Sequence, residues 1–345
     1  MAKNYLAINF GLITLLSLIA INDAQACAAC GETLSKDWGT QGVSTHPGFS
    51  ADLSYNYINQ NQQRLGTGTA STAQINARNT AATPQEIEDY TTTRTITASL
   101  NYSSDTWGVN TQLPFVQRTH GTFGNTGGWP STTAAAGYAS SSDNSIGDVR
   151  VIGRYTGFST DKTAGIIAGI KLPTGGTNAN FNTSTPAAPA PVDRSLQIGT
   201  GSTDLILGGF LTGAIGEYGL FAQGTVQYAV ATKIIGGQDY RPGNAYALNT
   251  GIRYAKFGSQ FTPMLQLNII NRQPDTGAGA TPVDAVTGGP ATGGTLVYLA
   301  PGASIRIGGG TSAYGFIQIP IYQNVNSLQL SARYTLTLGI KQSFE

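Results

Sequence analysis

The segment SARYTLTLGIKQSF at 331–344 constrains the fold of this chain more than any other. Tyr334, Leu336, Leu338, Ile340 and Phe344 share one parity, and Arg333, Thr335, Thr337, Lys341 and Ser343 share the other. Successive side chains of a strand point to opposite faces, so one face is apolar and the other polar and charged. A strand in a soluble sandwich alternates as well. Here the polar set carries Arg333 and Lys341, and the run finishes on an aromatic. Both features suit a barrel with lipid outside and water inside.

The start of the chain gives an address. Residues 1–26 read as a secretory signal peptide: Lys3, an apolar core from Phe10 to Ile21, and the small-x-small site Ala24-Gln25-Ala26. Cleavage there leaves Cys27 as the first mature residue. The apolar core falls short of the roughly 20 residues of a membrane helix, and no later segment approaches that length. Any membrane crossing must therefore be made by strands. Composition agrees: the chain has 45 Gly and 16 Tyr but is only 11% charged, against about a quarter in soluble domains. Hydrophobic content is 40%, so a large conventional core does not explain the missing charge. A barrel does, because its outer face needs no charge and its lumen can be Thr, Asn, Gln and Gly. A secreted glycine-rich sandwich is the competing fold. The net charge of +1 gives no reason to expect a nucleic-acid partner.

Period-two runs predict a transmembrane antiparallel up-and-down β-barrel of about twelve strands over 48–345, behind an N-terminal segment at 27–47. The expected spans are 48–60, 89–102, 106–118, 145–157, 162–173, 197–211, 217–231, 241–255, 259–272, 295–307, 313–322 and 331–344. Phe49, Ala51, Leu53, Tyr55 and Tyr57 share one apolar face, as do Leu220, Ala222, Val226, Tyr228 and Val230. Connections alternate long (61–88, 119–144, 174–196, 273–294) and short (Ser103-Ser104-Asp105, Ser159-Thr160-Asp161, Gly308-Gly309-Gly310). That asymmetry predicts short periplasmic turns, longer outer loops, and both termini in the periplasm of a bacterial outer-membrane protein. The 174–196 connection, with Pro186, Pro189 and Pro191, reads as a solvated surface loop; a loop folded inward to narrow the pore is the other reading.

Charges off the apolar parity should face the lumen, because a charge facing lipid at mid-depth costs about 2–4 kcal/mol. These are Asp52, Arg94, Asp148, Arg150, Arg154, Lys171, Asp204, Arg253, Arg306, Arg333 and Lys341. They either attract anionic or polar solutes or brace the wall as ion pairs. Thirteen aromatics near strand ends, among them Tyr57, Trp107, Tyr218, Phe257, Tyr314 and Phe344, are expected in interfacial girdles. Cys27 and Cys30 form Cys-Ala-Ala-Cys, for which a local disulfide is the simplest reading in an oxidising compartment. Metal binding and lipidation of Cys27 are the alternatives; a haem attachment fails because Gly31 stands where His is required. The histidines are His46 and His120. Thr122 beside His120 is a weak candidate nucleophile, so a hydrolase is the third and least supported function, and an enzyme is not expected. No cofactor is implied.

The stretches GDVRVIGRYTGF (147–158), IKLPTGG (170–176), IGTGSTDLILGGF (198–210), YRPGN (240–244) and IPIYQNVN (319–326), with the Cys-bearing start, resemble a broad family of bacterial outer-membrane barrels. Its members are labelled transporter-like or assigned to the meta-cleavage pathway of phenol degradation. The resemblance implies passive passage of small solutes, hydrophobic or aromatic ones included, and carries over no catalytic residues. Glu345 after Phe344 departs from barrels that finish on the aromatic itself. The expectation is therefore a monomeric channel whose partners are outer-membrane lipid, the barrel-assembly machinery and a small-molecule solute. The alternative is an anchor for a periplasmic partner docked near 27–47, a segment also placed to plug the lumen in part.

Overall fold

The computed structural model describes residues 47–82, 85–123, 129, 137–182, 190–257, 260–280 and 283–344. The leader, the Cys27–Cys30 pair, the segment as far as His46, and Pro186 and Pro189 lie outside the described residues.

In chain order the elements are β1 (Gly48–Gly66), β2 (Gly68–Thr69), α1 (Thr72–Asn79), β3 (Ile87–Ser103), β4 (Trp107–Phe123), β5 (Tyr138–Ile146), β6 (Arg150–Tyr155) and β7 (Ala164–Lys171). There follow β8 (Ser202–Ile215), β9 (Tyr218–Thr232), β10 (Ala245–Tyr254), β11 (Phe261–Arg272), β12 (Gly294–Gly308) and β13 (Thr311–Ser343). Neighbours pair antiparallel in sequence order, and β13 returns to pair with β1, so the sheet is closed. The seam runs in register from Ser50 opposite Ser343 to Ile58 opposite Thr335.

β13 is a hairpin. Fully extended, its 33 residues would reach about 110 Å. Yet the Thr311 hydroxyl donates to Gln342, and the Ser343 N–H donates to the Gly310 carbonyl at 3.0 Å. The chain doubles back at Ser327, which takes a left-handed φ of 46°. β5 and β6 both pair with β4 and form one pass broken at 147–149. With β2 a two-residue arm, the ladder makes twelve passes, which coincide with the expected spans. At the short turn after β12, Gly309 and Gly310 take φ of 54° and 77°, the left-handed pair that a two-residue hairpin demands.

Burial is the inverse of a soluble protein. Leu53, Leu100, Ile166, Leu211, Leu338 and Ile340 are exposed, whereas Asn56, Thr91, Gln266, Asn268, Thr335 and Thr337 are buried. Each set follows the expected parity, so apolar residues face out and polar ones face in. Inside, polar side chains satisfy one another across strands: Asn249 donates to Asn268 at 2.8 Å, and Thr337 donates to Asn56 at 2.7 Å across the seam. Such pairing is what keeps buried amides and hydroxyls from costing stability. The lumen is not polar throughout. Met264, Ala300, Tyr314 and Phe316 form a buried cluster on the inner wall of β11–β13, with Phe210 and Phe221 also buried on the inward parity of β8 and β9.

Two long connections depart from the expectation of plain loops. Residues 61–66 extend β1, and Thr72–Asn79 form α1, which starts with a capping box between Ser71 and Gln74. α1 sets Ile75 against Ala70, Ile87, Phe123 and Leu328, a small core at the long-loop end. The Arg78 guanidinium ties α1 to Asp284 in the 273–294 connection through a buried ion pair. The second departure, in residues 172–182 and 190–201, builds the site.

Candidate functional site

After Lys171 the chain turns into the barrel instead of out of it. Leu196 and Ile198 are buried, as are Ser195 and Gln197. The described part of the 174–196 connection is therefore an inward constriction, and the solvated-loop reading is corrected. Three side chains hold it. Arg118, facing in from β4, donates from Nη1 to the carbonyls of Leu196 and Gln197 at 2.7 and 2.9 Å, and from Nε to Thr93 at 3.1 Å. Asp148, in the break between β5 and β6, accepts from the Gly175 N–H at 3.0 Å and from the Thr200 N–H and hydroxyl at 3.0 and 2.6 Å. Gln197 bonds both backbone groups of Ala179 and the Val192 carbonyl. Where the outgoing and returning chains cross, a Cβ on Gly199 would stand 2.3 Å from the Gly175 carbonyl oxygen. Only glycine permits that approach, which accounts for Gly175 and Gly199.

Lys171 is the hub beneath the loop. Its ammonium lies 2.9 Å from Asp204 and 3.4 Å from Asp148, and donates to the hydroxyls of Thr200 and Ser202. Asp204 also accepts from Ser202 and Gln227 at 2.6 Å each. Arg150 sits directly opposite Lys171 in the ladder. The structure thus brings Asp148, Arg150, Lys171 and Asp204 into one group.

The other expected charges are spread along the barrel. Asp52 and Lys341 face each other across the seam on the inward parity, and Tyr314 donates to Asp52 at 3.0 Å. Arg154 reaches Ser103 at 2.6 Å; Arg253 lies over Gly219, where a Cβ would meet its Nε. Arg306 keeps the inward parity but is exposed beside the short turn. Two placements are corrections. Arg94 pairs with Tyr57 on the outward parity and stands over its ring at 5.8 Å. Nine residues above Ser103 on a tilted strand puts it about 20–25 Å up the wall, at the edge of a lipid band about 25 Å tall, where a long cation reaches water. Arg333 falls at the irregularity between Ile58 and Gln60 of the seam, where alternation fails, and is exposed beside Tyr334. Tyr314, counted with the girdle, points inward instead. The short-turn rim does carry outward aromatics in contact: Phe49, Tyr102 and Trp107, then Tyr218, Tyr254, Phe257 and Phe261.

The loop and the wall border an open-sided cavity of about 220 Å³. It is bounded by Arg118, Arg150, Lys171, Arg194 and Arg272 against Asp148 and Asp204, with Ile58, Val116, Ile198 and Tyr240 among the apolar walls. Arg118, Arg194 and Arg272 were missed from sequence. Arg118 had a signal, the shared parity with Asn110 and Gln112; Arg194 had none, because nothing local says that its loop folds inward. His120 accepts from or donates to the Thr91 hydroxyl at 2.9 Å and is fully buried. Thr122 gives its hydroxyl to the Ile87 carbonyl at 3.0 Å, away from that ring.

Among solved structures, an outer-membrane channel from Pseudomonas putida F1 superposes at a TM-score of 0.59, covering 91% of this chain and 100% of that one at 11% identity. The fold is that of an outer-membrane β-barrel. The transport unit of the autotransporter AIDA-I from Escherichia coli matches at 0.48 and 12% identity over 97% of this chain and 98% of that one. A TodX monoaromatic hydrocarbon channel mutant matches at 0.48 and 10% identity over 87% and 91%. Neither of these two weighs on the function of this outer-membrane barrel. No protein-family model and no curated protein matches the sequence.

Proposed function

We propose that this barrel is an outer-membrane channel for passive passage of small solutes, narrowed by residues 172–182 and 190–201 inside its lumen. The observation that carries the reading is those two stretches, clamped by Arg118 and Asp148 over a lumenal cavity. Twelve strands stand between the eight that side chains fill and the sixteen to eighteen that leave a wide aqueous channel, so a narrow route is what the size allows. The long-loop end, with α1 and the 273–294 connection, faces outward, and the short turns face the periplasm. The likeness in fold to an outer-membrane channel supports this reading, as does the mixed inner wall: hydroxyl, amide and charged groups run the length of the barrel, and Phe210, Phe221, Met264 and Phe316 interrupt them toward the short turns. A solute with an apolar body and a polar group finds complementary wall for both parts.

The test is single-channel conductance of the refolded mature protein in a planar bilayer. The wild type is expected to conduct in small steps. Arg118→Ala, which removes both bonds to the loop carbonyls, is expected to raise conductance at least twofold or make it flicker. A correctly folded barrel that stays silent in both forms overturns the proposal.

A further inference from the structure

The charges around the lumenal cavity do not cancel, and the imbalance is specific. Both acids are saturated by the protein. Asp148 is engaged by Gly175, Thr200 and Lys171, and Asp204 by Ser202, Gln227 and Lys171. Arg272 pairs with Asp275 at 3.1 Å. Two guanidiniums are left differently. Arg150, on the inward parity and exposed to the lumen, makes no hydrogen bond or ion pair among the described residues. Arg194 donates from Nη2 to the Thr200 carbonyl at 3.0 Å and lies over the Tyr240 ring at 5.3 Å. Its Nε and Nη1 are buried with no acceptor among the described residues. Buried donors of a charged group cost free energy when unmatched, and a guanidinium fork is shaped to receive two oxygens of a carboxylate. Arg150 presents its fork openly to the cavity, whereas Arg194 must turn its covered donors toward an incoming anion.

The rest of the wall describes the remainder of the ligand. Ile58, Val116, Ile198 and the Tyr240 ring provide apolar surface, and Thr93 and Thr95 provide hydroxyls. A cavity of about 150 Å³ is enough to hold benzene; this one measures about 220 Å³, room for a ring and one carboxylate. We propose that the cavity beneath the inward segment is a binding site for a small organic carboxylate. Its anionic group sits between Arg150 and Arg194, and its apolar body, about the size of one benzene ring, lies against Ile58, Val116 and Tyr240. The site rests on the channel reading in one respect only, that the cavity is a station on the route.

Titration calorimetry on the detergent-solubilised mature barrel tests it with three probes of nearly equal size: benzoate, benzyl alcohol and benzylammonium. Benzoate is expected to bind at least tenfold more tightly than benzyl alcohol, with no detectable binding of benzylammonium. Arg150→Gln should weaken benzoate by roughly tenfold, the scale of one lost charge-assisted hydrogen bond, and leave benzyl alcohol unchanged. That variant touches no loop contact, so it stays informative if Arg194→Gln disturbs the segment. Equal binding of all three probes, or an unchanged benzoate affinity in Arg150→Gln, overturns the site. A barrel that conducts without this discrimination sinks the site alone. A barrel that binds benzoate through Arg150 yet stays silent in the bilayer sinks the channel reading alone.

Discussion

At the scale of single residues, the crossing of Gly175 and Gly199 decides whether the lumen is constricted. Each chain passes so close to the other that a methyl group has no room: the obstructing atom is backbone, which cannot rotate away as a side chain can. Gly199→Ala is therefore expected to undock the segment at a cost of about 1–3 kcal/mol. Proteolysis of the folded barrel should show it as faster cleavage within 173–200 and an unchanged barrel core. Lys171 carries a different burden. It is the shared cation of two buried acids, so Lys171→Met leaves both uncompensated and should cost about 3–5 kcal/mol, seen as a lower unfolding temperature in detergent. Arg94 is the control for parity. It stands outside the lumen beside Tyr57, so Arg94→Gln should leave the ion selectivity of the pore as it was, measured as reversal potential in a salt gradient.

At the scale of elements, α1 and the 273–294 connection form a cap locked by Arg78 and Asp284. Burial by itself would raise the Asp284 carboxyl, but the Arg78 guanidinium, the N–H groups of Thr287 and Val286 and the Thr287 hydroxyl outweigh it and hold it below the ordinary value of 3.8. A carboxyl depressed in the folded state binds fewer protons there than in the open state. Its contribution to cap stability is therefore complete above about pH 4 and is lost as pH falls through the depressed value. Hydrogen exchange corrected for intrinsic rates should show α1 opening below pH 4, and Asp284→Asn should open it at every pH. Sequence legibility also divides by element. The twelve passes could be read because lipid outside and polar groups inside enforce period two along nearly every strand. α1 could have been read from Ser71 and Gln74, whose spacing is a helix-start signature. The inward turn of the described residues after Lys171 could not, because its anchors Arg118 and Asp148 lie on β4 and in the break between β5 and β6, and the contacts arise only when the barrel closes. Arg333 misled for a related reason: parity assigns a face only while the ladder is regular, and the seam is irregular there.

At the scale of the whole molecule, an inverted burial pattern is stable only in a solvent that is itself apolar. Exposed Leu53, Leu100, Leu211, Leu338 and Ile340 would make a large adhesive surface in water. In a bilayer they meet hydrocarbon, and the aromatics in contact at the short-turn rim mark one boundary of that band. Trp107 belongs to this rim, 45% exposed and packed on Tyr102 at 5.1 Å, whereas Trp129 packs against the small core of the cap. The two should therefore report different surroundings in a membrane. In a background with Trp38 and Trp129 replaced by Phe, Trp107 emission is expected to be quenched strongly by lipids brominated near the headgroup and weakly by lipids brominated at the chain ends. In the complementary background, Trp129 should escape both quenchers because the cap stands clear of the bilayer. Equal quenching of Trp107 at all depths would mean that the rim does not sit at the interface. The lipid band would then have to be placed elsewhere along the strands, taking Arg94 out of its boundary position.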